Sequence, residues 1–126
     1  MLAGIVLIHL ILSMIHGSAH AGARVALPVA GTLFVYLVIL AGPLVGLALS
    51  WWRPQAGAAL VAVTMAGSFV FGVVNHFIIP GSDHVAHVAH DWQPLFASTA
   101  ALLALVEAAG TVVGVRLTRR RVGRAS

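Results

Sequence analysis

The chain has 126 residues, of which 60% are hydrophobic and 8% charged, and its mean hydropathy is +1.03. A soluble domain carries roughly 25% charged residues, so a soluble enzyme and a disordered chain are both excluded, and lipid is the expected solvent. Cysteine is absent, which removes disulfides, thiolate nucleophiles and thiolate-held metals or clusters. Seven His stand against three acidic residues, and that ratio is the unusual number.

Four apolar runs follow in chain order, at about 2–22, 28–52, 56–79 and 94–117. Each is long enough for a helix rising 1.5 Å per residue to cross ~30 Å of hydrocarbon. Barrel strands would alternate over segments of ~10 residues, and no such pattern occurs. The expected fold class is all-α, an integral membrane four-helix bundle forming one domain over residues 1–126. Ala19-His20-Ala21 looks like a signal-cleavage site, so removal of residues 1–21 has to be considered. The run before it has no Lys or Arg at its start and is interrupted by His9, which argues for a retained span.

Orientation rests on Arg alone, because there is no Lys. Arg116, Arg119, Arg120, Arg121 and Arg124 crowd the C-terminal end, and a basic tail at 118–126 is expected to stay cytoplasmic. Four spans then put the N-terminus and the Arg53 turn on that same side, in a plasma or inner membrane, with Arg24 alone outside. The tail suits anionic lipid headgroups rather than nucleic acid, since no folded polar domain is available to read a base. Gly42-x-x-x-Gly46, Gly110-x-x-x-Gly114 and the Ser68/Gly72 pair offer smooth helix faces. They are compatible with a bundle, a homo-oligomer or a larger membrane complex. Pro43 should disturb span two, and Trp51, Trp52 and Trp92 fall at span ends where interfacial anchors belong. No internal repeat is present.

On a helix, His9, Ser13, His16 and His20 share one edge of span one. Such an edge must face the bundle, because polar groups in hydrocarbon cost several kcal/mol without partners. His16 and His20 are four residues apart and can reach one ion together. Asn75 and His76 lie one turn before Pro80, and the following loop carries His84, His87 and His90. With the topology above, six of seven His meet at the outer membrane face.

If the loop were helical, His84 and His90 would stand about 9 Å apart along the axis and about 120° apart around it. One ion could then take two loop His together with His76 or the His16/His20 pair. Two metals shared by six His and Asp83 or Asp91 form a second arrangement. Imidazole suits Zn, Fe and Cu, and added carboxylates shift the preference toward Fe or Mn. The His16/His20 and His84/His87/His90 spacings are similar to the His boxes of membrane di-iron hydroxylases and desaturases. No His-His doublet occurs, so the likeness extends only to the principle that a His-only site holds two irons.

Glu107 is the one carboxylate inside a span, at a depth matching His9. The two are expected to pair, either as a structural clasp or as a step in a proton path. Three functions follow from these residues. The first is a metal site handling its ion or performing redox chemistry on a lipid-soluble substrate. The second is a haem b anchor for electron transfer, with His16 and His76 as axial ligands and Gly17 and Gly72 leaving room. The third is a non-catalytic accessory subunit in which the His tune packing.

Overall fold

The computed structural model describes residues 1–122, with side chains through residue 119. Arg120, Arg121 and Arg124 of the basic tail therefore lie outside the described side chains. Four helices carry the chain: α1 (Leu2–Gly22), α2 (Val29–Leu49), α3 (Pro54–Ile78) and α4 (Gln93–Val122), and all four are long and apolar enough to cross a membrane. The protein is an all-helical bundle of four candidate spans. Observed bounds follow the apolar runs closely in α1, α2 and α3, whereas α4 continues past Leu117 to Val122.

The connections place the site. Past the end of α1, the Arg24 N–H donates to the Ala21 carbonyl and the Val25 N–H to the His20 carbonyl, with Arg24 at φ 56°. This is the Schellman arrangement, here with Arg in the left-handed position usually given to Gly. A tight turn at Trp51–Arg53 leads into Pro54 at the start of α3, where a missing N–H costs nothing. The segment 79–92 has no helix. It is latched by the Val85 N–H donating to the His76 carbonyl at 2.9 Å and by Gln93 Nε2 donating to the Val85 carbonyl at 3.0 Å.

Two helices depart from α geometry. In α2, residues Val35–Ala41 form π turns immediately before Pro43, whose ring and absent N–H displace the carbonyl four residues back. The disturbance expected of Pro43 takes this form. In α3, residues Val74–Ile78 are π-helical, and Asn75 Nδ2 supplies a donor to the Phe71 carbonyl at 2.8 Å.

Helix α4 packs along both α1 and α3, and α2 packs on α3, whereas α1 and α2 meet only sparsely. Glycine sets the close seams. A Cβ at Gly46 would stand 2.9 Å from the Val61 nitrogen, and one at Gly114 would stand 2.8 Å from the Ala58 carbonyl oxygen. Both glycine pairs are thus consumed by contacts within the chain. Toward the Arg53 end the core is Val6, Val61 and Met65. At the opposite end it is Ala19, Val88 and Phe96, with Val85 and Val25 against them. Trp51 and Trp52 are exposed at their turn, while the Trp92 ring lies directly over Gly22.

Candidate metal centre

Seen from the helices, α1 turns His9 and His16 fully inward, at 1% and 7% exposure. One turn of helix, the i, i+4 spacing, puts His16 and His20 side by side, with ring centroids 4.8 Å apart. The π segment of α3 brings His76 to them, 4.9 Å from His16 and 5.6 Å from His20. One ring nitrogen from each of the three lies within 4.8 Å of the others. This buried triad is close enough to hold a metal ion. A tetrahedral site with 2.0–2.1 Å bonds sets its ligand nitrogens roughly 3.4 Å apart, and His16 Nε2 and His76 Nε2 already stand at 3.2 Å.

The outward nitrogens decide what the inward ones are. Thr99 Oγ1 donates its own hydrogen to the Leu95 carbonyl at 2.6 Å, so it accepts from His16 Nδ1–H at 2.8 Å. His76 Nδ1 faces the backbone carbonyl of Asp83 at 3.0 Å, and His20 Nδ1 faces the Val25 carbonyl at 3.4 Å. An oxygen lone pair opposite each Nδ1 keeps the hydrogen there in the neutral ring. The Nε2 atoms of His16 and His76 then carry lone pairs that oppose each other at 3.2 Å, whereas His20 has an oxygen at either nitrogen, the Val25 carbonyl at Nδ1 and Asp83 Oδ1 at Nε2. Outer acceptors that fix ring tautomer and orientation are how metal-bound His is normally supported.

Asp83 completes the set. Its Oδ1 is 3.3 Å from His20 Nε2 and 3.3 Å from His76 Nδ1, yet both carboxylate oxygens are buried with no hydrogen-bond partner. A buried, unpartnered carboxylate beside converging lone pairs is costly unless a cation joins them. Phe96, fully buried, packs against all three rings at centroid distances of 4.7, 4.8 and 5.2 Å. It forms a dry wall behind the cluster.

The other expected site residues fall elsewhere. His84 is half-buried and His87, His90 and Asp91 are exposed on the 79–92 loop. His84 and His87 pack at 5.3 Å, but among the described residues only His16, His20 and His76 form a group of three able to share an ion. The loop is a series of turns, with Val88 buried and Val85 half-buried against the same core. Deeper in the bundle, His9 Nε2 and Glu107 Oε1 meet at 3.2 Å, at 1% and 4% exposure.

Sequence reasoning did not single out Thr99 or Phe96 as members of the site. Their positions three residues apart on α4, opposite the His edge of α1, were the available signal. A cavity of about 560 Å³ runs from the triad down to Glu107, lined by α1, α2, α3 and α4. Comparison with known proteins gives no family model, no curated protein and no solved structure that matches the chain.

Proposed function

We propose that this protein is a membrane-embedded centre for one transition metal ion, Zn, Fe or Cu, acting on a lipid-soluble substrate. His16, His20 and His76 are its ligands and Asp83 an additional one. The observation that carries this reading is the direction of the three rings. Each Nδ1 faces an oxygen acceptor, and His16 Nε2 and His76 Nε2 face each other at 3.2 Å. Three imidazoles and one carboxylate suit a divalent first-row metal, and when the three imidazoles alone hold it, a coordination position is open to substrate. The adjoining cavity supports use of that position by a molecule arriving through the bilayer.

In this reading the termini and the Arg53 turn are cytoplasmic, and the triad lies at the outer end. Arg24 is then the lone outer Arg, and the basic tail beyond α4 meets anionic headgroups. A reporter fused to the C-terminus should be active only in the cytoplasm; activity only outside reverses the orientation.

A haem held between His16 and His76 does not fit these residues. Axial nitrogens face each other across about 4 Å, twice a metal–nitrogen bond, with a macrocycle between the rings. Here the gap is 3.2 Å, and Phe96 and His20 occupy its flanks. Elemental analysis of protein purified in lipid nanodiscs tests the main reading. About one metal per chain is expected, lost in His16→Ala and His76→Ala and largely kept in His9→Ala. A metal-free wild-type protein overturns it.

A further inference from the structure

The cavity has two polar ends and an apolar mouth. Its rim residues Met14 of α1 and Tyr36 of α2 are 63% and 62% exposed, along the line where those two helices scarcely touch. In a membrane that opening faces lipid, and its volume falls within the range of small-molecule sites. At the inner end, Glu107 Oε1 is taken by His9, while Oε2 lies 4.0 Å from where a Cβ of Gly72 would stand, both residues being on the cavity lining. Ser13 Oγ, also on the lining, is buried and unpartnered. At the outer end stands the triad.

Gly72 lies between these ends. A Cβ built there would have His76 Cδ2 at 3.9 Å on one side and Glu107 Oε2 at 4.0 Å on the other. The missing side chain leaves one space bounded by a metal ligand and a carboxylate oxygen. A lipid with a single head group would satisfy one end only. A ring carrying hydroxyls on opposite carbons reaches both, and Phe71 and Ile39 on the lining suit its faces.

We propose that the cavity binds a lipid-soluble hydroquinone that enters from the bilayer between α1 and α2. One hydroxyl donates to Glu107 Oε2, and the other lies beside His76 at the metal. This inference rests on the metal reading for the second contact. The His9–Glu107 pair then acts as a fixed hydrogen-bond acceptor for the ligand rather than as a bare clasp.

The test uses the full chain in nanodiscs under anaerobic conditions, with metal content measured on every sample. The probes are a fluorine-labelled decylhydroquinone and its dimethyl ether, followed by fluorine NMR. Saturable binding of the hydroquinone is expected, with the ether at least about tenfold weaker because it lacks both donors. Gly17 lines the cavity and its Cβ would meet nothing within 4 Å, so the side chain of Gly17→Leu starts in open space and takes up cavity volume. It should abolish the bound signal and leave metal content unchanged.

Metal present with no hydroquinone binding, with equal binding of the ether, or with full binding in Gly17→Leu overturns the hydroquinone site and leaves the metal reading standing. A wild-type protein without metal overturns the metal reading and this inference with it.

Discussion

The end of the bundle opposite Arg53 carries two sets of three histidines, and their ring nitrogens face different partners. In the helical set, every Nδ1 is opposed by an oxygen, and the Nε2 atoms of His16 and His76 turn toward each other. In the loop set, His84 Nδ1 instead accepts the Ala86 N–H at 3.2 Å, so its neutral ring keeps the hydrogen on Nε2. His87 Nδ1 faces the Gly81 carbonyl at 2.9 Å, which frees its Nε2, but that ring is exposed. The same residue type thus forms a buried candidate ligand set in one place and a surface group in the other. Burial and the partner of the outer nitrogen make the difference, not the count of His.

The largest effect that could break this contrast is removal of a triad ring. His16→Ala or His76→Ala should weaken metal binding by more than the about 100-fold seen at the top of the range for loss of an outer partner. Competition with a chelator in detergent reads that value. An intact affinity would remove the distinction between the two sets.

Next in size is Thr99→Val, which keeps the shape and deletes the acceptor for His16 Nδ1. It should cost about 10- to 100-fold in the same titration. An unchanged value would show that the His16 tautomer is set by something else.

The third test is applied to the loop. The triple change His84→Ala, His87→Ala and His90→Ala should alter affinity by less than about threefold, within a weak polar contribution. The double change Val85→Ser and Val88→Ser should cost about tenfold, by loosening the segment that holds Asp83. The reverse ranking would move the site onto the loop.

The smallest effect concerns the turn that presents the Val25 carbonyl to His20. Arg24→Gly should raise thermal stability by about 1 kcal/mol, because Gly adopts positive φ without the Cβ penalty. Metal affinity should stay constant. A loss of affinity would give the Arg24 side chain a role in the site.

Much of this architecture was legible in the sequence because its signals are long or rigid. Runs of 20 or more apolar residues state a span whatever their neighbours do. The four-residue spacing of His16 and His20 on a helix leaves little freedom, and matched depth was enough to relate His9 to Glu107. The loop was different. The repeat His-Val-Ala-His-Val-Ala-His carries two stripes of the same period, one of His and one of Val. Periodicity cannot say which stripe faces inward. Burial of apolar surface decides it, and Val85 and Val88 go in against Ala19 and Phe96. Asp83 and Asp91 could not be ranked for a similar reason, since only the turn after Pro80 tucks the first under the His rings. The pairing of α1 with α4, which brings Thr99 and Phe96 to the site, is a tertiary choice with no local signature.

The π turn at Val74–Ile78 has a consequence for how this centre could be lost. A π turn holds one residue more than the α turn it replaces. If the same residues were wound as a plain α-helix with none removed, the chain beyond would be turned by about 100°. His76 would then leave His16, and the Asp83 carbonyl would leave His76 Nδ1, although every ligand remained in the sequence. The centre depends on the winding of α3 as much as on the identity of any side chain, so a substitution that straightens this turn could keep all seven histidines and bind nothing.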